Sequence, residues 1–366
     1  MSQIVIHKTG AEKLEFEEII IPKLHEREIL VRNTYCTLCR SDLNTFTGKR
    51  TEKSPTILGH EIVGIISAFG GNEQFIDERG VQLKIGDRVT WAIFASDPNG
   101  EMAKKGIPQK GSDLFKYGHE QLTNQSTLHG GLAEYTILRK HTPVIKLADH
   151  VPDQLAAIIN CAVATITGAL RLAGDVTNKT VCISGMGMLG TIAASMAKTY
   201  GAKTVIGLDV SNVRLEESTL FGTDRIYNVS VDWHDELFQD FRVKNPVDVV
   251  LDISGANAAM EQTLKVLAIG GTAVWVGGTF PQADLSINAE YVIRNLLTIR
   301  GLHNYNHADL IQAVEFIEQH GTDFPFERLI YNIDGLENVN EAFRYAIQEN
   351  PFRVGISIKP KNNEHE

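Results

Sequence analysis

Three side chains suited to a soft metal ion stand far apart in this chain. Cys39 opens the run Cys39-Arg40-Ser41-Asp42, and His60 follows 21 residues later in Gly59-His60-Glu61. Cys161 lies about 100 residues further on. A thiolate, an imidazole and a third side chain, with one position left open, make a catalytic zinc site. The open position lets zinc take an alcohol oxygen and lower its pKa. These residues have no short metal spacing, so a fold has to assemble them. A second Gly-His-Glu, Gly118-His119-Glu120, competes with the first as a metal motif.

A second chemistry is carried by Gly185-Met186-Gly187-Met188-Leu189-Gly190, which fits G-x-G-x-x-G. It follows an apolar run, Val181-Cys182-Ile183-Ser184, and opens a helical stretch to about Tyr200. In that setting the first glycine permits a tight turn, the second admits a pyrophosphate, and the third lets helix and strand pack closely. The helix N-terminus then offers free N–H groups and a positive dipole end to phosphates. Asp209 ends the next strand, 19 residues after Gly190. A carboxylate there accepts both ribose hydroxyls of NAD and repels the 2′-phosphate of NADP.

The surrounding elements divide in two. The first ~150 residues alternate short apolar runs with Gly, Pro and Asp, as in Glu28–Arg32, Ile62–Ile66 and Asp87–Trp91, which reads as an all-β region. From about 163 strands alternate with helices, at Val181–Ser184, Thr204–Leu208, Val247–Ile253 and Thr272–Val276. That rhythm implies a parallel sheet with crossover helices. A helix over Ala308–Gln319 and a strand over Val354–Ile358 close the chain. The expected architecture is α/β: a β-rich domain over 1–162 and 303–366, interrupted by a doubly wound domain over 163–302.

Composition excludes several other classes. The 366 residues are 43% hydrophobic and 22% charged, with a net charge of −10, which fits a globular protein and argues against a nucleic-acid binder. No apolar run reaches the ~20 residues of a membrane helix, and MSQIVIHKTGAEK lacks a signal peptide's apolar core. A cytoplasmic location with no membrane partner is expected. Cys36, Cys39, Cys161 and Cys182 then read as core thiols or metal ligands rather than disulfides.

Taken together, the sequence resembles the zinc-dependent alcohol dehydrogenases of the medium-chain dehydrogenase/reductase superfamily. The resemblance rests on Cys39–Asp42, Gly59–Gly64, Gly86-Asp87-Arg88-Val89, Cys161 with Thr165, the glycine fingerprint and Gly270-Gly271, in this order and spacing. It implies a GroES-like catalytic domain, a Rossmann NAD-binding domain and an active site in the cleft between them. It implies that Cys39, His60 and Cys161 hold zinc, with Glu61 able to approach or replace a ligand. Ser41 takes the substrate proton, and Asp42 orients His60. Gly185, Gly187, Met188, Leu189, Gly190, Asp209, Arg214, Thr165, Val276 and Arg353 are the cofactor contacts, Thr165 beside the nicotinamide and Arg353 at the pyrophosphate. A small-molecule alcohol or carbonyl substrate and a homodimer or homotetramer follow. Phe115–Glu120 and Gly301–Tyr305 resemble a subgroup with phosphonate-catabolism and hydroxycamphor dehydrogenases. Lys49 and Arg50 are the basic pair nearest the relay serine in sequence. A zinc-independent quinone or enoyl reductase and a non-catalytic dinucleotide-binding protein are the rival readings.

Two departures from the family pattern carry expectations of their own. Where many members place four structural-zinc cysteines, this chain has Asp97, Gly100, Ala103 and Gly111, so one catalytic zinc and no structural zinc is expected. Where relatives commonly relay the proton through histidine, this chain has Asn44, whose amide takes up no proton at neutral pH.

Overall fold

A computed structural model describes residues 1–124, 126–232, 241 and 246–359. The chain divides into two compact units. One joins Met1–Cys161 with Asn306–Thr322 and the segment from Phe326 onward; the other is Ala162–Tyr305 with Asp323–Pro325.

The first unit is built on a seven-stranded sheet around Ile29–Leu38. That strand pairs antiparallel with Glu61–Phe69 on one side and with Arg353–Ser357 on the other. Ile330–Asp334 lies parallel to Arg353–Ser357 at the sheet's edge. The central strand is twice the length of the apolar run that signals it, because Asn33, Thr34 and Thr37 interrupt the pattern while staying in the ladder. Asn33 is buried and donates to the Ala133 carbonyl at 2.8 Å and to Thr136 Oγ1 at 2.9 Å. The helix Val339–Gln348 buries Val339, Ala342, Phe343 and Ala346, a single stripe at helical spacing. Phe343 meets Phe46 at 4.8 Å between ring centroids, which anchors the short helix Arg40–Phe46.

The second unit carries a six-stranded, all-parallel sheet. Counted along the chain its strands lie in the order third, second, first, fourth, fifth, sixth. This is the dinucleotide-binding order, with the crevice between the first and fourth strands. Those strands, Thr180–Ser184 and Val247–Asp252, are mostly apolar and, apart from half-buried Thr180 and Asp248, buried on both faces, as parallel strands tend to be. The helix Met188–Thr199 packs Ile192, Ala193, Met196 and Ala197 inward.

Asp153–Ala173 runs as 21 continuous helical residues, long and apolar enough by composition to cross a membrane. In the fold 78% of its apolar window is buried inside the protein, as in a core helix.

Candidate active site

Cys39 is the N-cap of the helix Arg40–Phe46. Its backbone N–H donates to Asp42 Oδ2 at 2.9 Å, so the helix start itself fixes where the cysteine stands. The other carboxylate oxygen, Asp42 Oδ1, accepts from the Gly59 N–H at 3.0 Å and lies 3.4 Å from His60 Nδ1. One fully buried carboxylate thus braces the loops of two candidate ligands. His60 immediately precedes the strand Glu61–Phe69. Ser41 Oγ lies 3.5 Å from His60 Nε2.

Cys161 arrives on a different device. The helices Asp153–Ile158 and Ala164–Ala173 are joined by a π-helical turn, Ile159–Val163, with Cys161 at its centre. Such a widened turn re-aims the side chains it carries and is common at functional sites. The result is that one ligand atom each from Cys39, His60 and Cys161 lie within 4.8 Å of one another. Among the described residues this is the one such cluster of three.

The donor set fits zinc: two sulfurs and one imidazole. The Cys161 thiol donates to Cys39 and, with the Arg353 and His60 charges, holds Cys39 well below the ordinary cysteine range. Cys161 is correspondingly pushed up by that same hydrogen bond and by burial. The arrangement favours the thiolate at Cys39, the form that binds metal.

Glu61 is placed beside this cluster rather than in it. Its Oε2 accepts from Thr37 Oγ1 at 2.5 Å, and its Oε1 lies 3.2 Å from Arg353 Nη2. Burial pushes its carboxyl up to about 7, against the opposing pull of Arg353. Arg353, expected at a pyrophosphate, is buried against Glu61 and donates to the Leu38 carbonyl at 3.3 Å. His119 also lies outside the cluster: its ring centroid is 5.0 Å from that of His60, and its Nδ1 is 3.3 Å from Glu52 Oε1. Glu52 is in turn 2.5 Å from Arg50 Nη2. The sequence reading passed over Asn160. Its signal was a lone amide inside an apolar helical run, directly before Cys161.

In the second unit the three glycines differ as a pyrophosphate loop requires. Gly185 holds φ +95°, and a Cβ there would meet Ser254 N at 2.8 Å. A Cβ on Gly190 would fall 2.0 Å from the Gly185 carbonyl oxygen, so only glycine lets this helix close on its strand. At Gly187 a Cβ would meet only Arg214 Nη1, at 3.6 Å, among the described atoms. That open face is where a phosphate has room. Met188 opens the helix, followed by Leu189. Asp209 Oδ2 accepts from the Met186 N–H at 2.7 Å and Oδ1 from the Ser211 N–H at 2.9 Å, which ties the loop to the end of the second strand. The Val276 N–H donates to the Asp252 carbonyl at 2.8 Å, and Thr165 is buried in the helix Ala164–Ala173. These residues fit a dinucleotide.

Comparison with known proteins agrees with both halves. Residues 25–149 match the alcohol dehydrogenase GroES-like domain, and residues 189–319 match the zinc-binding dehydrogenase family. Sorbitol dehydrogenase of Bacillus subtilis is 27% identical over 365 residues, covering 98% of this chain and 97% of that protein. Alcohol dehydrogenase of Geobacillus stearothermophilus is 29% identical over 343 residues, covering 90% and 91%. The fold is shared with the crystal structure of an alcohol dehydrogenase from Thermotoga maritima, at TM-score 0.91 and 22% identity, covering 98% of this chain and 99% of that one. The chain belongs to the zinc-type alcohol dehydrogenases of the medium-chain dehydrogenase/reductase superfamily.

Proposed function

We propose that this protein is a cytoplasmic, NAD-preferring alcohol dehydrogenase with one catalytic zinc and no structural zinc. The observation that carries the reading is the convergence of Cys39, His60 and Cys161 within 4.8 Å. Those three residues hold the metal. Bound zinc supplies Lewis acidity that stabilises negative charge on the alcohol oxygen. Asp42 keeps the imidazole and the Cys39 loop in place. Ser41 takes the substrate proton, and because Asn44 cannot accept it, water or a cofactor hydroxyl does. Asp209 selects NAD, Arg214 offers positive charge to the dinucleotide, and Glu61 with Arg353 forms a buried charge pair beside the ligands.

The names of the sorbitol and alcohol dehydrogenase relatives support small alcohols and polyols as substrates. The finer resemblance to the phosphonate and hydroxycamphor subgroup favours an anionic group on the substrate. Beside the His119 segment, burial first, then the charges of Arg50 and Lys110, lower the Lys116 ammonium below its ordinary value, against the opposing carboxylates Glu52 and Glu120. A homodimer or homotetramer is supported by exposed Ile269 and Leu296 near the edge strand Thr298–Gly301.

The test combines zinc analysis of purified protein with an NAD-coupled screen of neutral and anionic alcohols. Stoichiometric zinc and NADH formation are expected. Metal-free protein that reduces quinones or enones would move it to the zinc-independent class.

A further inference from the structure

The three candidate ligands are not braced alike. Cys39 and His60 are braced together by Asp42, but Cys161 belongs to a helical segment that deviates from regular hydrogen bonding. Asp42 bonds the Cys39 and Gly59 amides but not this turn, which meets the network only through the Cys161 thiol at Cys39, among the described residues. What reaches across to the His60 backbone is the residue directly before it.

Asn160 is completely buried. Its side-chain amide donates two hydrogen bonds, to the His60 carbonyl at 3.0 Å and to the Trp91 carbonyl at 2.9 Å. Both carbonyls lie where a β ladder runs out. The strands Glu61–Phe69 and Arg88–Trp91 pair at Gly64 with Val89 and Ile65 with Arg88, and the pairing does not extend to His60 or Trp91. Buried carbonyls left there need a donor. Asn160 satisfies both with one NH2 group, and in doing so it ties the π-helical turn to the backbone of a ligand histidine. The link from the His60 main chain to the Cys161 main chain is then one short, rigid side chain and one peptide.

We propose that Asn160 is a positioning residue for the metal: it sets the separation of the Cys161 sulfur from the His60 imidazole. This rests on the zinc reading above. Removing its donors frees the turn and lets Cys161 drift from the other two ligands. Outer partners of metal ligands typically change metal affinity by about 10–100-fold, and the same range is expected here.

The experiment compares Asn160→Asp with Asn33→Asp. Each replaces a fully buried amide that donates two hydrogen bonds within the same unit, but Asn33 bonds Ala133 and Thr136 instead of a ligand. Zinc affinity is measured by chelator competition, cobalt-substituted protein is read by its thiolate and d–d absorption, and the thermal midpoint is recorded for each. Both variants are expected to lose thermal stability. Only Asn160→Asp is expected to lose zinc affinity about 10–100-fold and to shift the cobalt bands. Wild-type zinc affinity and spectrum in Asn160→Asp would overturn the proposal, as would equal losses in both variants. If Asn160→Asp does not fold, Asn160→Gln keeps the donors on a longer side chain. Shifted cobalt bands support the proposal there, and an unchanged spectrum overturns it. Wild-type protein that binds no zinc at all would instead sink the functional reading beneath it.

Discussion

Thr37 and Glu61 face each other across an antiparallel strand pair, and Thr37 Oγ1 donates to Glu61 Oε2 at 2.5 Å. The register of the central ladder therefore sets which way the carboxylate turns. It is held toward Thr37 and Arg353, while the neighbouring His60 faces Cys39 and Cys161. Two adjacent residues, one at the strand's start and one just before it, are sent to different tasks by strand alternation.

The cofactor loop predicts a preference. Asp209 is expected to favour NAD over NADP by about tenfold or more, since one unfavourable charge contact is worth at least ~1.4 kcal/mol. Asp209→Ala narrows the ratio and, by losing the bond to the Met186 N–H, also weakens NAD binding. Measured kcat/KM values for the two cofactors decide it; equal values in the wild type contradict the assignment.

Metal retention should depend on Asp42 even though it is not a ligand. Asp42→Asn keeps the shape but removes the charge that sits 3.4 Å from His60 Nδ1. A loss of about 10–100-fold in zinc affinity is expected, and Cys39→Ser should lose the metal outright. NAD binding should persist in both, because the glycine loop belongs to the other unit. Calorimetric titration with NAD and zinc analysis read the two effects separately.

Acid sensitivity is built into the first unit at His129. It is buried, and neither ring nitrogen has a hydrogen-bond partner among the described residues. Burial first, then the Arg139 charge, push it down to about 4 from 6.5. The folded state resists protonation that the unfolded chain accepts from pH 6.5 downward. Stability is therefore lost as pH falls from 6.5 through about 4. The full shift corresponds to about 3 kcal/mol. His129→Phe should flatten that part of the pH profile in chemical denaturation; an identical slope in the variant rules this out.

The segment Ser96–Gly111 should withstand chelators. Ser96 Oγ donates to the Pro108 carbonyl at 3.0 Å, Asp113 Oδ2 accepts from the Asp97 N–H at 2.7 Å, and a short helix spans Glu101–Lys104. In the reading proposed above, these contacts would hold the loop without a metal crosslink. Limited proteolysis with and without chelator should give the same pattern here, with one zinc per chain by elemental analysis. Cleavage confined to this loop on chelation, or two tightly held zincs, contradicts it.

Both halves of the fold were legible where a pattern is local. The glycine fingerprint, its strand and Asp209 follow one another within a short stretch, and each has the placement its spacing implied. Strands such as Ile330–Asp334 and Arg225–Asn228 were not legible, because the partial exposure of a sheet edge leaves little apolar signal. The π-helical turn at Cys161 was hidden for another reason: a run of apolar residues reads as plain helix whatever its hydrogen-bond offset. The Glu61–Arg353 pair was invisible because a strand register joins residues from opposite ends of the chain.

That last pairing has a temporal side. Arg353 Nη1 and the Leu38 carbonyl are 315 positions apart along the chain. Synthesis proceeds from the amino end, and domains generally fold as units as they emerge. Every strand of the six-stranded parallel sheet has been made by Gly301. Tyr135–Leu138 covers the Ile29–Arg32 half of the central strand's second edge, but its Tyr35–Leu38 half must wait for Arg353–Ser357. The dinucleotide unit can thus mature first, while the cradle for the metal, begun earlier, is completed only once Arg353–Ser357 has been made.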